Sequence, residues 1–299
     1  MQTIHLDLID INDRRFCVSY PMYDEGLVSS IKKVGIIQPV MLLNMTPYIV
    51  ITGFRRIASA TQLGLADIPC VILDISEKEA LLRSIHDNIK RGLNIIEKAN
   101  SIERMLHMGF SSNEIYETAA LLSINPHEKV IERLIAIANA ENAFKDFVIK
   151  KGLSMKSVES MMRFDTDERA HIIDILAPIH TTESLTREIL EILNIIKIRT
   201  DNIDFDTITG ITKADELKMR LKKLASPILT SLEDRLKEIK LRCSLPPDID
   251  IKVDPFFEKE YIDILIRAKT DEDIRDAIEK LGNILDNGYA GSIFELIKG

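Results

Sequence analysis

The residues best suited to chemistry lie in one run, Ile49-Val50-Ile51-Thr52-Gly53-Phe54-Arg55-Arg56-Ile57-Ala58. An apolar strand leads into a glycine, and a helix starts directly after it. Backbone N–H groups at a helix start lack intrahelical partners, and the helix dipole puts partial positive charge there. Gly53 lets the main chain come close to an anion. Arg55 and Arg56 add two guanidinium groups able to clamp phosphate. Together these make a phosphate-binding corner. It is neither a GxxxxGK[ST] loop nor a GxGxxG dinucleotide loop. A Gly-x-Arg-Arg alone also serves as an ordinary turn with a solvated helix start, so the neighbouring motifs decide. Upstream, Gly35-Ile36-Ile37-Gln38-Pro39 offers a second loop with an amide side chain. Downstream, Asp87-Asn88-Ile89-Lys90-Arg91 sets a carboxylate beside an amide near a helix end. Oxygen ligands of that kind suit Mg²⁺ held mainly by nucleotide phosphates.

The elements that position these residues are read from periodicity. Ile4, Leu6 and Leu8 alternate with polar residues and predict a half-buried strand. Val28, Ile31 and Val34 recur at helical spacing before Gly35. Val40–Leu43 and Tyr48–Ile51 predict a hairpin around Asn44-Met45-Thr46-Pro47. A helix follows over Arg55–Leu63, ended by Gly64, and then a strand over Ile68–Leu73 in which Pro69 marks a strand start or edge. Ser76-Glu77-Lys78-Glu79 is a capping box opening a helix to about Lys90. Further helices are expected at about 95–108, 112–122, 126–139, 141–150, 154–163 and 166–177, with breaks at Gly109, Asn125-Pro126, Gly152 and Pro178. Leu217 to Ile239 form an amphipathic stripe divided or kinked at Pro227. Ile249–Val253 and Tyr261–Ala268 read as strands, Thr270 caps a helix to about Leu285, and 289–292 reads as a loose tail entry.

In this order the motifs resemble the ParB partition-protein family. The resemblance rests on Gly35-Ile36-Ile37-Gln38-Pro39, Gly53-Phe54-Arg55-Arg56 with Ala58 and Ala60, Gly64-Leu65 with Ile68-Pro69, and Asp87-Asn88-Ile89-Lys90-Arg91 followed by Leu93-Asn94 and Ile96-Glu97. It covers about residues 1–180. It implies an α+β protein with a small mixed α/β ParB-like nucleotide-binding domain over 1–90. An all-helical helix-turn-helix domain would follow over 91–184, and a C-terminal helical plus β-β-α region over 185–299. Members of the family bind CTP with Mg²⁺, close as a dimeric clamp on DNA and hydrolyse CTP slowly. By that carry-over, Gly35, Gln38, Pro39, Thr52, Gly53, Arg55, Arg56, Asn88 and Arg91 line the nucleotide site, and Asp87 with Asn88 lies at the metal. Phe54 departs from the pattern, which has an acidic residue after the glycine. A phenyl ring can neither bind Mg²⁺ nor orient water, so at most a weak CTPase is implied. Asp87 stands where Glu is usual, Ile95 replaces a common proline, and the stretch between Arg91 and Leu93 is one residue short. Sulfiredoxin shares the N-terminal fold but needs a reactive cysteine at this corner, where none stands. A nuclease or kinase on the same scaffold would need clustered carboxylates near Gly53, for which Asp87, Asp24 and Glu25 are the nearest in the reading.

The implied helix-turn-helix falls on a helix starting at Ser111-Ser112, a turn at Ser123-Ile124-Asn125-Pro126 and a reading helix over 126–139, with Pro126 at its first position. Val130, Ile131 and Leu134 would face inward. Asn125, His127, Lys129 and Arg133 are the residues expected to meet DNA. Over 110–135 two bases stand against four acids, so a purely structural helical hairpin fits as well. Lys145, Lys150, Lys151, Lys156 and Arg163 form a nearby basic cluster able to track phosphates.

Composition bounds the rest. The 299 residues carry 39 bases and 47 acids, a net charge of −8. Seven bases face nine acids over 1–80, thirteen face fifteen over 81–184, and nineteen face twenty-three over 185–299. No region is basic, so DNA affinity must come from local faces and a nucleotide-closed dimer. With no Trp and 5% aromatics, a large base-stacking platform is excluded. Cys17, Cys70 and Cys243 form no CxxC pair, and neither a signal peptide nor a membrane span is read, so a cytoplasmic protein is expected. The sequence reading is a homodimeric, CTP-regulated DNA-binding protein of partition or transcriptional control. The alternative is a protein-interaction or regulatory module on the same fold.

Overall fold

The computed structural model describes residues 1–255, 257 and 259–298. The chain divides into two compact units, Met1–Arg187 and Glu188–Gly299.

The first unit opens with β1 (Gln2–His5), a 3₁₀ turn at Leu6–Leu8 and β2 (Ile9–Asp10). The alternation of Ile4, Leu6 and Leu8 therefore stops short as a strand: Leu8 is exposed, and Ile9 takes the buried position after the turn. Helix α1 (Glu25–Val34) is capped by Asp24 and ends at Gly35, whose φ of 74° requires the freedom of glycine. β3 (Val40–Leu43) and β4 (Tyr48–Thr52) form the expected antiparallel hairpin. α2 (Phe54–Gln62) follows β4 through Gly53, and β5 (Asp67–Leu73) then completes the sheet. The strand order is β1-β5-β3-β4-β2, with β5 parallel to β3 and β2 parallel to β4. Ile49, Val50, Ile51 and Thr52 are all buried, as a strand covered on both faces demands. Pro69 sits inside the sheet rather than at an edge. It is tolerated because the β3 ladder begins only at Cys70, leaving Pro69 opposite Thr3 of β1 alone.

Helices then run without interruption by strands: α3 (Glu77–Ile89), α4 (Ile95–His107), α5 (Ser112–Leu121), α6 (Glu128–Ala138), α7 (Asn142–Lys151), α8 (Met155–Met161), α9 (Thr166–Leu176) and α10 (Glu183–Thr200). Capping boxes at Ser76, Asn94, Ser111 and Asp165 fix four of these starts. α6 begins two residues later than expected, because His127 accepts from the Lys129 N–H and serves as the cap, leaving Pro126 outside the helix. α10 was not read from the sequence. Its buried Ile189, Leu190, Ile192, Leu193 and Ile196 give an apolar stripe of helical period.

In the second unit, α11 (Ala214–Ala225) and α12 (Pro227–Cys243) divide at Ser226-Pro227, with Pro227 in the first turn of α12. β6 (Ile249–Lys252) pairs antiparallel with β7 (Asp263–Ile266). α13 (Asp271–Asp286) starts at the Thr270 capping box. The expected loose tail at 289–292 instead opens α14 (Tyr289–Lys298), whose Ile293 and Ile297 are buried with Ile251 and Ile284. Four apolar side chains in one cluster stabilise what looks in sequence like a Gly-Ser tail.

Candidate functional site

The β4–α2 corner opens on a cavity of about 430 Å³. α2 starts at Gly53, which has a φ of 94° and leaves the helix without a side-chain cap. The first intrahelical bond is from Ile57 N–H to Gly53 O, so the N–H groups of residues 54–56 precede the helical ladder. No acidic side chain stands in the first turn. By contrast, α1, α3, α4, α5, α6, α8 and α9 all have a side-chain cap. The bare start of α2 faces the cavity, where Arg55, Arg56, Lys90 and Arg91 meet only two carboxylates, Asp24 and Asp87. Asp24 is already engaged by the Leu27 N–H at 3.0 Å. The electrostatics favour an anion.

The arginines are held in place by main-chain carbonyls. Arg56 Nη1 donates to Gln38 O at 2.7 Å and to Pro39 O at 2.8 Å, which ties the Gly35–Pro39 loop to α2. Its Nη2 lies 3.7 Å from Asp87. A Cβ on Gly53 would meet Val40 at 3.0 Å and the Arg56 guanidinium at 3.1 and 3.2 Å, so Arg56 packs over the glycine. Arg55 Nε donates to Pro21 O at 2.9 Å, and its Nη2 donates to Tyr20 O and Glu97 Oε1, each at 3.0 Å. Burial pulls both guanidinium pKa values below their ordinary range. At Arg55 the neighbouring charge of Arg91 adds to this, and at Arg56 Asp87 opposes it. Arginine stays charged through such shifts.

Behind the cavity wall, Glu97 is fully buried and receives four groups. Arg55 and Arg91 both donate to it, as do the N–H groups of Tyr20 at 3.0 Å and Asn94 at 3.1 Å. Arg91 also donates to Asn88 Oδ1 through Nε at 3.0 Å and Nη2 at 2.8 Å.

Of the residues expected at the nucleotide site, Gln38, Gly53, Arg55, Arg56, Asn88 and Arg91 share this cavity with Asp87. Pro39 contributes its carbonyl to Arg56. Gly35 terminates α1 outside the cavity lining. Thr52 is buried in β4, and its hydroxyl has no partner among the described residues. Ser19 and Leu27 also line the cavity without having been singled out from the sequence, as does Lys90, which was quoted only within the Asp87–Arg91 motif. Glu97 appeared in the sequence only as the end of the motif Leu93-Asn94 with Ile96-Glu97, and Tyr20 carried no signal at all.

Asp87 and Asn88 both line the cavity, but only Asp87 presents an oxygen to it without a closer partner than 3.7 Å. The single acceptor oxygen of Asn88 faces the Arg91 guanidinium, and its amide nitrogen donates to Ser84 O at 2.7 Å. Mg²⁺ requires near-octahedral oxygen ligation, and a guanidinium on the amide oxygen opposes it. Among the described residues no group of three His, Cys, Asp or Glu side chains could hold a metal.

On the helical side, α5 and α6 follow one another across the 122–127 turn, and both pack on α4. Ile131 and Leu134 are buried and Val130 half-buried, while Asn125, His127, Lys129 and Arg133 are exposed. His127 is spent as the α6 cap, and Arg133 pairs with Glu159 of α8 at 2.8 Å. In the basic cluster, Lys145 donates to Ala138 O at the end of α6 and Lys151 to Ile179 O in the loop after α9, whereas Lys150, Lys156 and Arg163 are exposed. No helix among the described residues is long and apolar enough to cross a membrane.

Residues 2–89, which carry β1 to α3 and the cavity corner, match the family model of the ParB N-terminal domain. The chain is ParB-like. It is 24% identical over 209 residues to the "probable chromosome-partitioning protein ParB" of Vibrio cholerae, covering 68% of each chain. It is 28% identical over 165 residues to the protein of the same description from Coxiella burnetii, covering 46% of this chain and 57% of that one. The C-terminally truncated ParB of Caulobacter crescentus complexed with the centromeric parS site is similar at a TM-score of 0.34 and 13% identity, over 75% of this chain and all of that one. The same protein complexed with CTP-gamma-S gives a TM-score of 0.25 at 16% identity, over 55% of this chain and 93% of that one. The ParB-like chain thus places the residues of its N-terminal match around one cationic cavity and follows them with a helical segment holding the α5–α6 pair.

Proposed function

We propose that this ParB-like chain binds CTP at the β4–α2 corner and uses it to control DNA binding by the helical segment, as a homodimer. One observation carries the reading: the uncapped N-terminus of α2 opens, with Arg55 and Arg56, onto a cavity with an excess of cations, inside the stretch that matches the ParB N-terminal domain. The phosphates would lie against the N–H groups of residues 54–56, with Arg55, Arg56 and Arg91 neutralising their charge. The choice of CTP among nucleotides follows from the resemblance of the motifs. Nucleotide bound more tightly to a closed form would shift the equilibrium towards it.

Turnover is at most weak in this role. Phe54 is buried, Asp24 caps α1, and Glu97 is saturated by two arginines and two N–H groups. The remaining carboxylate, Asp87, faces the Arg56 guanidinium at 3.7 Å. The bound state would then end by dissociation.

DNA would be met by Lys129, Lys150, Lys156, Arg163 and the exposed turn at Asn125. For the dimer, β7 is an edge strand with Ile264 and Ile266 exposed at 47% and 38%, a surface suited to pairing with its twin. A second reading, a protein-interaction module without DNA binding, is favoured by Glu128 and Glu132 on α6 and by the Arg133–Glu159 pair.

Equilibrium dialysis of the full chain against radiolabelled CTP, ATP, GTP and UTP tests the nucleotide. Preferential retention of CTP is expected, and equal weak retention of all four would count against the reading.

A further inference from the structure

Tyr20 links the cavity to α7 through three different groups. Its N–H donates to Glu97 at 3.0 Å. Its carbonyl accepts from Arg55 Nη2 at 3.0 Å and from Asn94 Nδ2 at 2.7 Å. Its hydroxyl donates to Asp146 Oδ1 of α7 at 2.5 Å, with the Asn142 carbonyl 3.3 Å away. The segment leading into Tyr20 is not part of the sheet. Side chains hold its carbonyls instead: Ser84 takes Phe16 O, Arg104 takes Cys17 O and Asn100 takes Val18 O. The segment is a strap, fastened at its far end by Arg55.

A guanidinium grips phosphate bidentately along one of two edges, Nε–Nη2 or Nη1–Nη2. Both edges include Nη2, and the two Nη2 hydrogens of Arg55 are already spent on Tyr20 O and Glu97 Oε1. Bidentate capture of a phosphate by Arg55 must therefore withdraw a hydrogen bond from the strap or from Glu97, which itself holds the Tyr20 N–H.

Resting on the nucleotide reading above, we propose that Tyr20 is a positioning residue, whose hydroxyl bond to Asp146 latches α7 in the empty state and is released when phosphate takes Arg55. The phenol remains a donor across the working pH range, because burial and the adjacent Asp146 carboxylate raise its pKa strongly. By linkage, the latch and the nucleotide oppose each other to the same degree. Removing the latch lifts a cost of binding, so affinity rises.

The test uses the full chain, measuring CTP affinity by dialysis and hydrogen–deuterium exchange across residues 142–151. In the unsubstituted protein, CTP should raise exchange across α7. Tyr20→Phe should show raised exchange without CTP, little further change with it, and CTP affinity about ten- to a hundredfold tighter, the range for one hydrogen bond to a charged group. Asp146→Ala should match it, while Asp146→Asn, which keeps an acceptor oxygen, should stay near the unsubstituted protein. These two variants carry the comparison if Tyr20→Phe fails to fold. CTP retained with α7 exchange unmoved and affinity unchanged in the variants would overturn the latch alone. No CTP retained by any of the proteins would overturn the nucleotide reading and the latch with it.

Discussion

Arg55 and Arg91 donate to the same oxygen, Oε1 of Glu97, at 3.0 and 2.5 Å. They come from α2 and from the turn after α3, and the carboxylate comes from the first turn of α4. One buried negative charge thus serves two cations on the cavity wall and leaves one positive charge uncompensated there. The arrangement holds the arginines in place without neutralising the site.

Glu97→Gln should therefore cost stability and function together. It leaves two guanidiniums without a counter-charge while keeping the shape of the side chain. Breaking such a buried pair costs about 3–5 kcal/mol, and the partial exposure of both arginines reduces this to about 2–3 kcal/mol. Urea unfolding followed by circular dichroism checks this, and a change below about 0.5 kcal/mol would show that Glu97 is not the hub.

Two glycines with positive φ separate strain from packing. Gly53→Ala combines a φ of 94° with a Cβ forced to 3.0 Å from Val40 and 3.1 Å from Arg56, and should destabilise by about 2 kcal/mol or more. Gly35→Ala has a φ of 74° and open space around its Cβ, and should cost about 1 kcal/mol from strain alone. Thermal melts of the two variants should rank in that order, and Gly53→Ala alone should lose nucleotide retention.

Stability should fall in acid through specific carboxylates. The Arg169 guanidinium holds the Glu141 pKa below the carboxylate's ordinary 4.5. A lowered folded pKa means that the contribution is fully present above about 4.5 and is lost as the pH falls through the folded value. Between pH 5 and 3, Glu141→Gln should lose less stability than the unsubstituted protein. Parallel curves would remove Glu141 from the acid response.

DNA affinity, if the helical segment supplies it, should fall linearly in log salt concentration. Lys129→Ala should reduce that slope by about one unit. Glu159→Gln frees Arg133 from its pair and should tighten binding about twofold to threefold. Fluorescence anisotropy over a salt series checks both, and an absence of binding at low salt would favour the interaction-module reading.

Much of this was legible because the deciding signals are local. Gly53 after an apolar strand, the box at Ser76, the cap at Thr270 and the break at Ser226-Pro227 each depend on a few neighbouring residues. What escaped was long-range. Arg55 and Arg56 read as free phosphate clamps, yet they also secure the carbonyls of Tyr20, Pro21, Gln38 and Pro39, contacts that span 17 to 35 residues of sequence. The bond from Arg91 to the Asn88 oxygen was equally hidden, since it depends on how the chain turns after α3. α14 was missed because glycine and serine at 291–292 outweighed the buried pair Ile293 and Ile297.

The central claim is that the α2 N-terminus and its arginines hold phosphate. Isothermal titration of the full chain with cytidine, CMP, CDP and CTP tests it most directly. Affinity should climb with each added phosphate, with CTP at least about a hundredfold tighter than CMP, since each charge-assisted contact contributes about 1.5–3 kcal/mol. A flat series, or cytidine binding as tightly as CTP, would contradict it.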